Sequence, residues 1–349
     1  MEFDFAEEQP KFLMLMYGLI AFVAVVGGLL LLLDVVPAWF ARRREAQLIA
    51  ASASGAPLPR RRKPREGLFA FFFLLPTVLL LMIGLVVPAI RTTLLSFMDA
   101  GSNNWVGFQN YGWMFSEDSI VRVLVNTLIW VLLVPLVATS FGLLYAVMVD
   151  KARFEAVAKS LIFLPMAISF VGASIIWKFV YAYRGDGQEQ IGLLNQIVVG
   201  LGGEPKQWLL ESPLNTFLLI VIMVWIQAGF AMVVLSAAIK AIPADIVEAA
   251  RLDGVTPWQM FWQITMPSIR PALIVVVVTL SIATLKVFDI VRTATNGNYD
   301  TSVIATEMYN HAFRYGENGQ GSALAVFLFV QVIPIVIYQI RNLRQQREG

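Results

Sequence analysis

The residue types that could carry chemistry are few. The chain has no cysteine and one histidine, His311. This excludes disulfides, iron–sulfur clusters, cysteine-ligated zinc and histidine-clustered metal sites. His311 lies in a polar stretch and reads as a solvated side chain. No GxxxxGK[ST] loop, HExxH pair or other catalytic set occurs. What remains is a scatter of neutral polar residues within apolar runs: Thr139, Ser140, Ser169, Gln227, Ser281 and Thr284. Gln227 is flanked by Trp225 and Phe230. Hydrogen-bonding groups beside aromatic faces suit a polyhydroxyl ligand such as a sugar. The same groups also serve as interhelical glue. An unpaired amide at mid-run, as at Gln227, would be costly. Lys286 and Asp289, three apart, can pair on one helix face, either as a local ion pair or as a polar lining. The candidate pathway set is Trp225, Gln227, Ser281, Thr284 and Asp289. Arg91 and Lys178 fall near run ends, where long side chains snorkel.

These residues have to be positioned by membrane helices. The 349 residues are 58% hydrophobic and only 14% charged, against roughly a quarter charged for a soluble domain. The apolar residues come in runs of about twenty, the length that crosses a bilayer. The fold class is an all-α polytopic membrane protein with about seven spans: 12–33, 68–95, 123–149, 159–183, 214–239, 272–291 and 322–340. Pro76 and Pro88 are tolerated inside the second. Loop 96–122 carries Trp105, Phe108, Tyr111, Trp113 and Phe115, a density suited to a membrane interface.

Basic residues orient the layout. Seventeen lysines and arginines fall in 41–67, 150–160, 240–271 and the tail, against six on the other side: Lys11, Arg122, Arg184, Lys206, Arg292 and Arg314. The positive-inside rule then predicts an outside N-terminus and an inside C-terminus. Arg42, Arg43 and Arg44 follow the first apolar run, so it reads as an uncleaved span within 1–40. Residues 41–67 form a basic cytoplasmic linker, either drawn to anionic headgroups or a topology-setting tether. The core is 68–349.

One polar island, 241–271, reads as fully structured. Pro243 fits a first helical position, and Asp245 puts negative charge on a helix N-terminus. A helix over 244–252 carries Glu248, Ala249, Ala250 and Arg251, then Asp253. Gly254 is a left-handed stop. Thr256 caps a second helix with Pro257 first and Gln259 closing a capping box. Val255 and Met260 are placed for a hydrophobic staple, and Pro267 should end this helix. Capped helices between two spans imply a docking surface.

The island contains Glu248-Ala249-Ala250, Gly254 and Ile264-Thr265-Met266-Pro267. This resembles the EAA loop of ABC importer permeases, EAA-x3-G-x9-I-x-L-P, with Met266 in place of leucine. Val106-Gly107-Phe108-Gln109-Asn110-Tyr111 and Asn126-Thr127-Leu128 are similar to runs in the carbohydrate-uptake branch, the maltose- and glycerol-phosphate-type permeases. The resemblance covers about 68–340 and implies a type I importer transmembrane domain at about 122–340. It implies a six-span core with one extra N-terminal span, in a bacterial inner membrane. It further implies that Glu248, Ala249, Ala250, Arg251, Asp253 and Gly254 form a coupling helix seated on a separate ATPase. This chain itself would hold no cofactor; ATP and magnesium would sit on two ATPase partners. A second permease, an extracytoplasmic sugar-binding protein and membrane lipids complete the implied partners, and nucleic acid has no place. The chain would be no enzyme. The implied cargo is a sugar of oligosaccharide, α-glucoside or trehalose type, the alternative being glycerol phosphate or a polyol. A phosphate would want Arg or Lys at mid-depth, and none is clearly there. A gradient-driven carrier is disfavoured by the sparse intramembrane charge, and a membrane enzyme by the missing catalytic set.

Overall fold

The computed structural model describes residues 5–348 except 32–34, 36, 37, 40, 41, 44, 47, 48, 50–65, 150–153 and 186. Most of the basic linker and the start of the turn at 150–158 therefore lie outside the described residues. The chain forms two units, 1–79 and 80–349. The first contains helix α1, Phe5–Leu30, over most of the first expected span. Helix α2, Glu66–Leu81, runs into a π-turn, Met82–Val86, and α3, Val87–Leu95.

The second unit is a helical bundle around α5, Asp118–Val149, and α9, Leu214–Lys240. Glycine sets their distance. A Cβ on Gly142 would lie 2.8 Å from the backbone N of Met232, closer than real Cβ contacts come. Trp130, Val134, Ala138, Leu219, Met223, Met232 and Leu235 are buried in the core around this contact. Gly229 seats α9 on a third segment in the same way: its Cβ would fall 2.7 Å from the carbonyl oxygen of Ile162.

Among the described residues, five helices are long and apolar enough to cross a membrane: Phe73–Leu95, Asp118–Val149, Leu214–Lys240, Pro257–Leu285 and Asn318–Asn342. The expected fourth span is not straight. Glu155–Ala167 and Phe170–Val180 meet at 101°, which makes up to six spans if the pair counts as one. The bend has local causes. Pro165 enters a 3₁₀ turn, Leu164–Ala167, and Ser169 then caps α7, Phe170–Val180, by accepting from the Gly172 N–H. An apolar run of continuous hydropathy hid this break.

Three further expectations need correction. Pro243 is the N-cap, and α10, Ala244–Leu252, begins one residue later. Pro267 does not end the second island helix. The short helix α11, Pro257–Gln259, passes through a π-turn, Met260–Thr265, into α12, Met266–Leu285. The wider turn puts Pro267 at the start of a new hydrogen-bonding register, where its missing N–H matters least. The sixth span stops at Leu285; Lys286 and Phe288 leave helical geometry before α13, Asp289–Ala294. Lys286 and Asp289 therefore sit either side of a break and not on one face, and no ion pair joins them among the described residues.

The stretch 292–321 is no open loop. It folds into α13, α14 (Ile304–Tyr309) and a π-turn, Asn310–Arg314. Thr295, Thr301, Ser302, Thr306, Asn310 and His311 are all buried there. Most of these groups find partners within the segment: Thr295 and Thr301 hydroxyls lie 2.6 Å apart, and Ser302 Oγ donates to Glu307 at 2.6 Å, whereas the Thr306 hydroxyl has none among the described residues.

Candidate functional site

The island forms from local signals alone. Helix α10 carries Asp245 in its first turn and Arg251 in its last, each on the favoured pole of the helix dipole. It ends in a Schellman motif. Gly254 N–H donates to the Arg251 carbonyl and Val255 N–H to the Ala250 carbonyl, both at 3.1 Å, with Gly254 at φ +76°. Two residues on, Thr256 and Gln259 close the expected capping box. The elbow between the helices is thus fixed by backbone geometry at each side.

The island presents two faces. Ala250 is buried, whereas Glu248, Ala249, Arg251, Asp253 and Gly254 are exposed. The two alanines therefore have different tasks: Ala250 lets α10 lie flat on its own chain, and Ala249 leaves the outer face low. Glu248 makes no ion pair with Arg251 and no side-chain hydrogen bond among the described residues. Leu252 beside it is 89% exposed and Trp258 71%. A free carboxylate, a flat patch and bare apolar side chains on rigid caps describe a surface built to be covered.

Behind the island, Glu155 of α6 (Glu155–Phe163) pairs with Lys159 at 2.8 Å and with Lys240, the last residue of α9. Lys159 also donates to Ser236 of α9. The membrane segment that leads into the island, α9, is thus tied to α6 at the island's root.

The five candidate pathway residues are less coherent. Trp225 stands edge-on to Trp177, centroids 5.7 Å apart. Gln227 is half-buried and has no hydrogen-bond partner among the described residues, which leaves its amide open. Ser281 donates to the Val277 carbonyl and Thr284 to the Leu280 carbonyl, each on its own helix. Thr284 is fully buried among helices, so it does not line open space. Asp289 begins α13, exposed at the bundle end. Neither the cleft around Arg122 and His311 nor the one around Lys286 and Tyr309 is lined by any of the five.

The opposite end of the bundle holds contacts that the sequence reading did not foresee. Asn126 Nδ2 donates to the carbonyls of Asp300 (2.6 Å) and Ser302 (3.0 Å). Thr127 Oγ accepts from the Ile304 N–H at 3.0 Å. Asn215 Nδ2, at the start of α9, donates to the Tyr299 carbonyl at 2.7 Å. These bonds fasten 299–304 across the ends of α5 and α9. Asn110, buried, donates to the carbonyls of Ser96 and Met98 at 2.8 Å each. The two runs singled out in the sequence thus have structural work at one end of the bundle. His311 is buried, not solvated: Nδ1 lies 2.5 Å from Glu317 Oε2, and the ring meets Trp113 and Tyr315 edge-on. Its signal was the company of Glu307 and Glu317 within six residues.

Comparison with known proteins agrees with this architecture. The family described as "Binding-protein-dependent transport system inner membrane component" matches residues 138–348. The chain is 51% identical over 276 residues to the osmoprotective compounds uptake permease protein GgtC of Synechocystis, covering 79% of this chain and 99% of that one. It is 45% identical to the alpha-glucoside transport system permease protein AglF of Rhizobium meliloti, covering 84% and 88%. At 28% identity it aligns with the trehalose/maltose transport system permease protein MalF of Thermococcus litoralis, covering 83% and 99%. A bacterial ABC transporter involved in the import of alginate has the same fold, with TM-score 0.68 and 24% identity over 81% of this chain and 96% of that one. The chain belongs to the binding-protein-dependent transport system inner membrane components, the membrane-embedded permease subunits of ABC importers.

Proposed function

We propose that this permease conducts a neutral sugar, an oligosaccharide of the α-glucoside or trehalose class, across the cytoplasmic membrane. It does so as one half of a heterodimeric pore. Two ATPase subunits, which hold ATP and magnesium, drive it through α10. An extracytoplasmic sugar-binding protein delivers the cargo. The N-terminus lies outside and the C-terminus inside, with the island on the cytoplasmic face; the excess of basic residues at that end supports this.

The observation that carries the reading is the island itself. Glu248 and Ala249 are displayed with no side-chain partner among the described residues, on a helix clamped by a Schellman motif and a capping box. Pairing of Glu248 with a cation on the ATPase would hold α10 in its seat. Closure of the ATPase dimer would push the elbow at Gly254 and, through α12 and Lys240, tilt the helices on either side.

The test is Gly254→Asp in the assembled transporter. The variant should insert and assemble normally yet lose ATP-dependent sugar uptake. Wild-type uptake by that variant would remove the coupling role from α10.

A further inference from the structure

At the bundle end remote from the island lies a cleft of about 800 Å³, within the range of small-molecule sites. Its walls are the first two turns of α5, the 297–302 turn and the 307–320 segment. None of the coupling or pathway residues discussed above touches it.

The floor is polar and already ordered. Glu307 accepts from Ser302 Oγ at 2.6 Å and from Asn310 Nδ2 at 3.3 Å, and His311 is held by Glu317. The rim is different. Arg122 and Asp300 pair at 3.3 Å across it, both more than two-fifths exposed. Asp118 and Gln320 line it with no hydrogen bond of their own among the described residues. The half-exposed Tyr299 offers a ring at the mouth.

Three ligand classes can be weighed against this lining. Glu117, Asp118, Asp300, Glu307 and Glu317 face it, against one guanidinium and one imidazole, so an anion would be repelled. A cation would match the carboxylates but compete with Arg122 for Asp300 and leave the Gln320 amide donor without an acceptor. Hydroxyl groups both donate and accept. A neutral polyol alone can satisfy carboxylates, amide and guanidinium together while laying a C–H face on an aromatic ring.

We infer that this cleft is an entry site for a neutral oligosaccharide, separate from any site inside the bundle, and that its carboxylates exclude acidic sugars. The inference rests on the sugar-permease reading above. A ligand in transit is held weakly, so detection must tolerate fast exchange.

The test uses the assembled transporter in nanodiscs without ATP, read by saturation-transfer NMR. The probes are maltose, trehalose, the acidic analogue maltobionate and spermidine. One neutral disaccharide should give a saturable signal, weakened about tenfold in an Asp118→Ala/Gln320→Leu double variant. Maltobionate should give none until Asp118→Lys admits it. Disaccharide binding unchanged in the double variant would overturn the inference. So would a spermidine signal lost in its place, which marks a cation site. Loss of binding-protein capture in Asp118→Lys with the disaccharide signal intact would reassign the cleft to protein docking. ATP-driven uptake with the binding protein present separates the two levels. If neither disaccharide is taken up by wild type, the sugar reading falls; if uptake holds without any cleft signal, only the entry site falls.

Discussion

Lys240, the last residue of α9, closes an ion pair with Glu155, the first residue of α6, at the root of the island. Two segments far apart in sequence are therefore held together one residue before the island begins at Ala241. On the coupling role proposed above, a push on α10 would reach both. Lys240→Met should leave assembly intact and lower uptake per ATP hydrolysed by roughly a few-fold, measured by parallel uptake and phosphate-release assays in proteoliposomes. An unchanged ratio would show that the tie transmits nothing.

The elbow at Gly254 allows a graded test. A Cβ there meets nothing within 4 Å, so a substitution pays only for the left-handed backbone at φ +76°. That is about 1–2 kcal/mol for most residues and less for asparagine. Uptake should fall in the order glycine, asparagine, alanine, valine. A flat series would mean the left-handed turn is dispensable.

At Gly142 space decides, not backbone conformation. A methyl group would lie 2.8 Å from Met232 N, so α5 and α9 must part. Gly142→Ala should destabilise the protein by about 1–3 kcal/mol. A lower melting temperature in detergent, with reduced yield, would register it.

Gln227 has no hydrogen-bond partner among the described residues. Gln227→Leu should remove one hydrogen bond to a passing hydroxyl and weaken the apparent affinity for sugar about three- to tenfold, with assembly unchanged. Transport kinetics identical to wild type would take it out of the pathway.

Asn126 holds the 299–304 segment by two hydrogen bonds. Asn126→Ala should cost about 1–3 kcal/mol of local stability. Hydrogen exchange should then speed up in 297–304 but not in α10. Uniform protection would show that other contacts suffice.

The island was legible because its determinants are local. Gly254, Thr256 and Gln259 act within four residues, and each does in the structure what its type suggests. The bundle class was legible from hydropathy for the same reason. What escaped reading was either hidden inside an apolar run or made by distant partners. Pro165 and Ser169 bend the fourth segment inside a run whose average hydropathy looks continuous. Pro267 looked like a stop until a π-turn changed the register before it. His311 looked solvated because the residues that bury it, Trp113 among them, come from almost two hundred positions earlier. Asn126 was visible as part of a run, yet its partners at 300 and 302 were not.

Both limbs of the bent segment are fastened to α9. Gly229 sits against Ile162 on one limb, and Tyr181 Oη, just past the other, donates to the Leu218 carbonyl at 3.1 Å. The two anchor points lie about 16 Å apart along α9. With both limbs of the 101° corner pinned to one rod, the corner must travel with α9 and keeps its angle while α9 stays straight. The arrangement works as a bracket: bent segment and rod form one rigid piece, and any tilt of one is shared by the other.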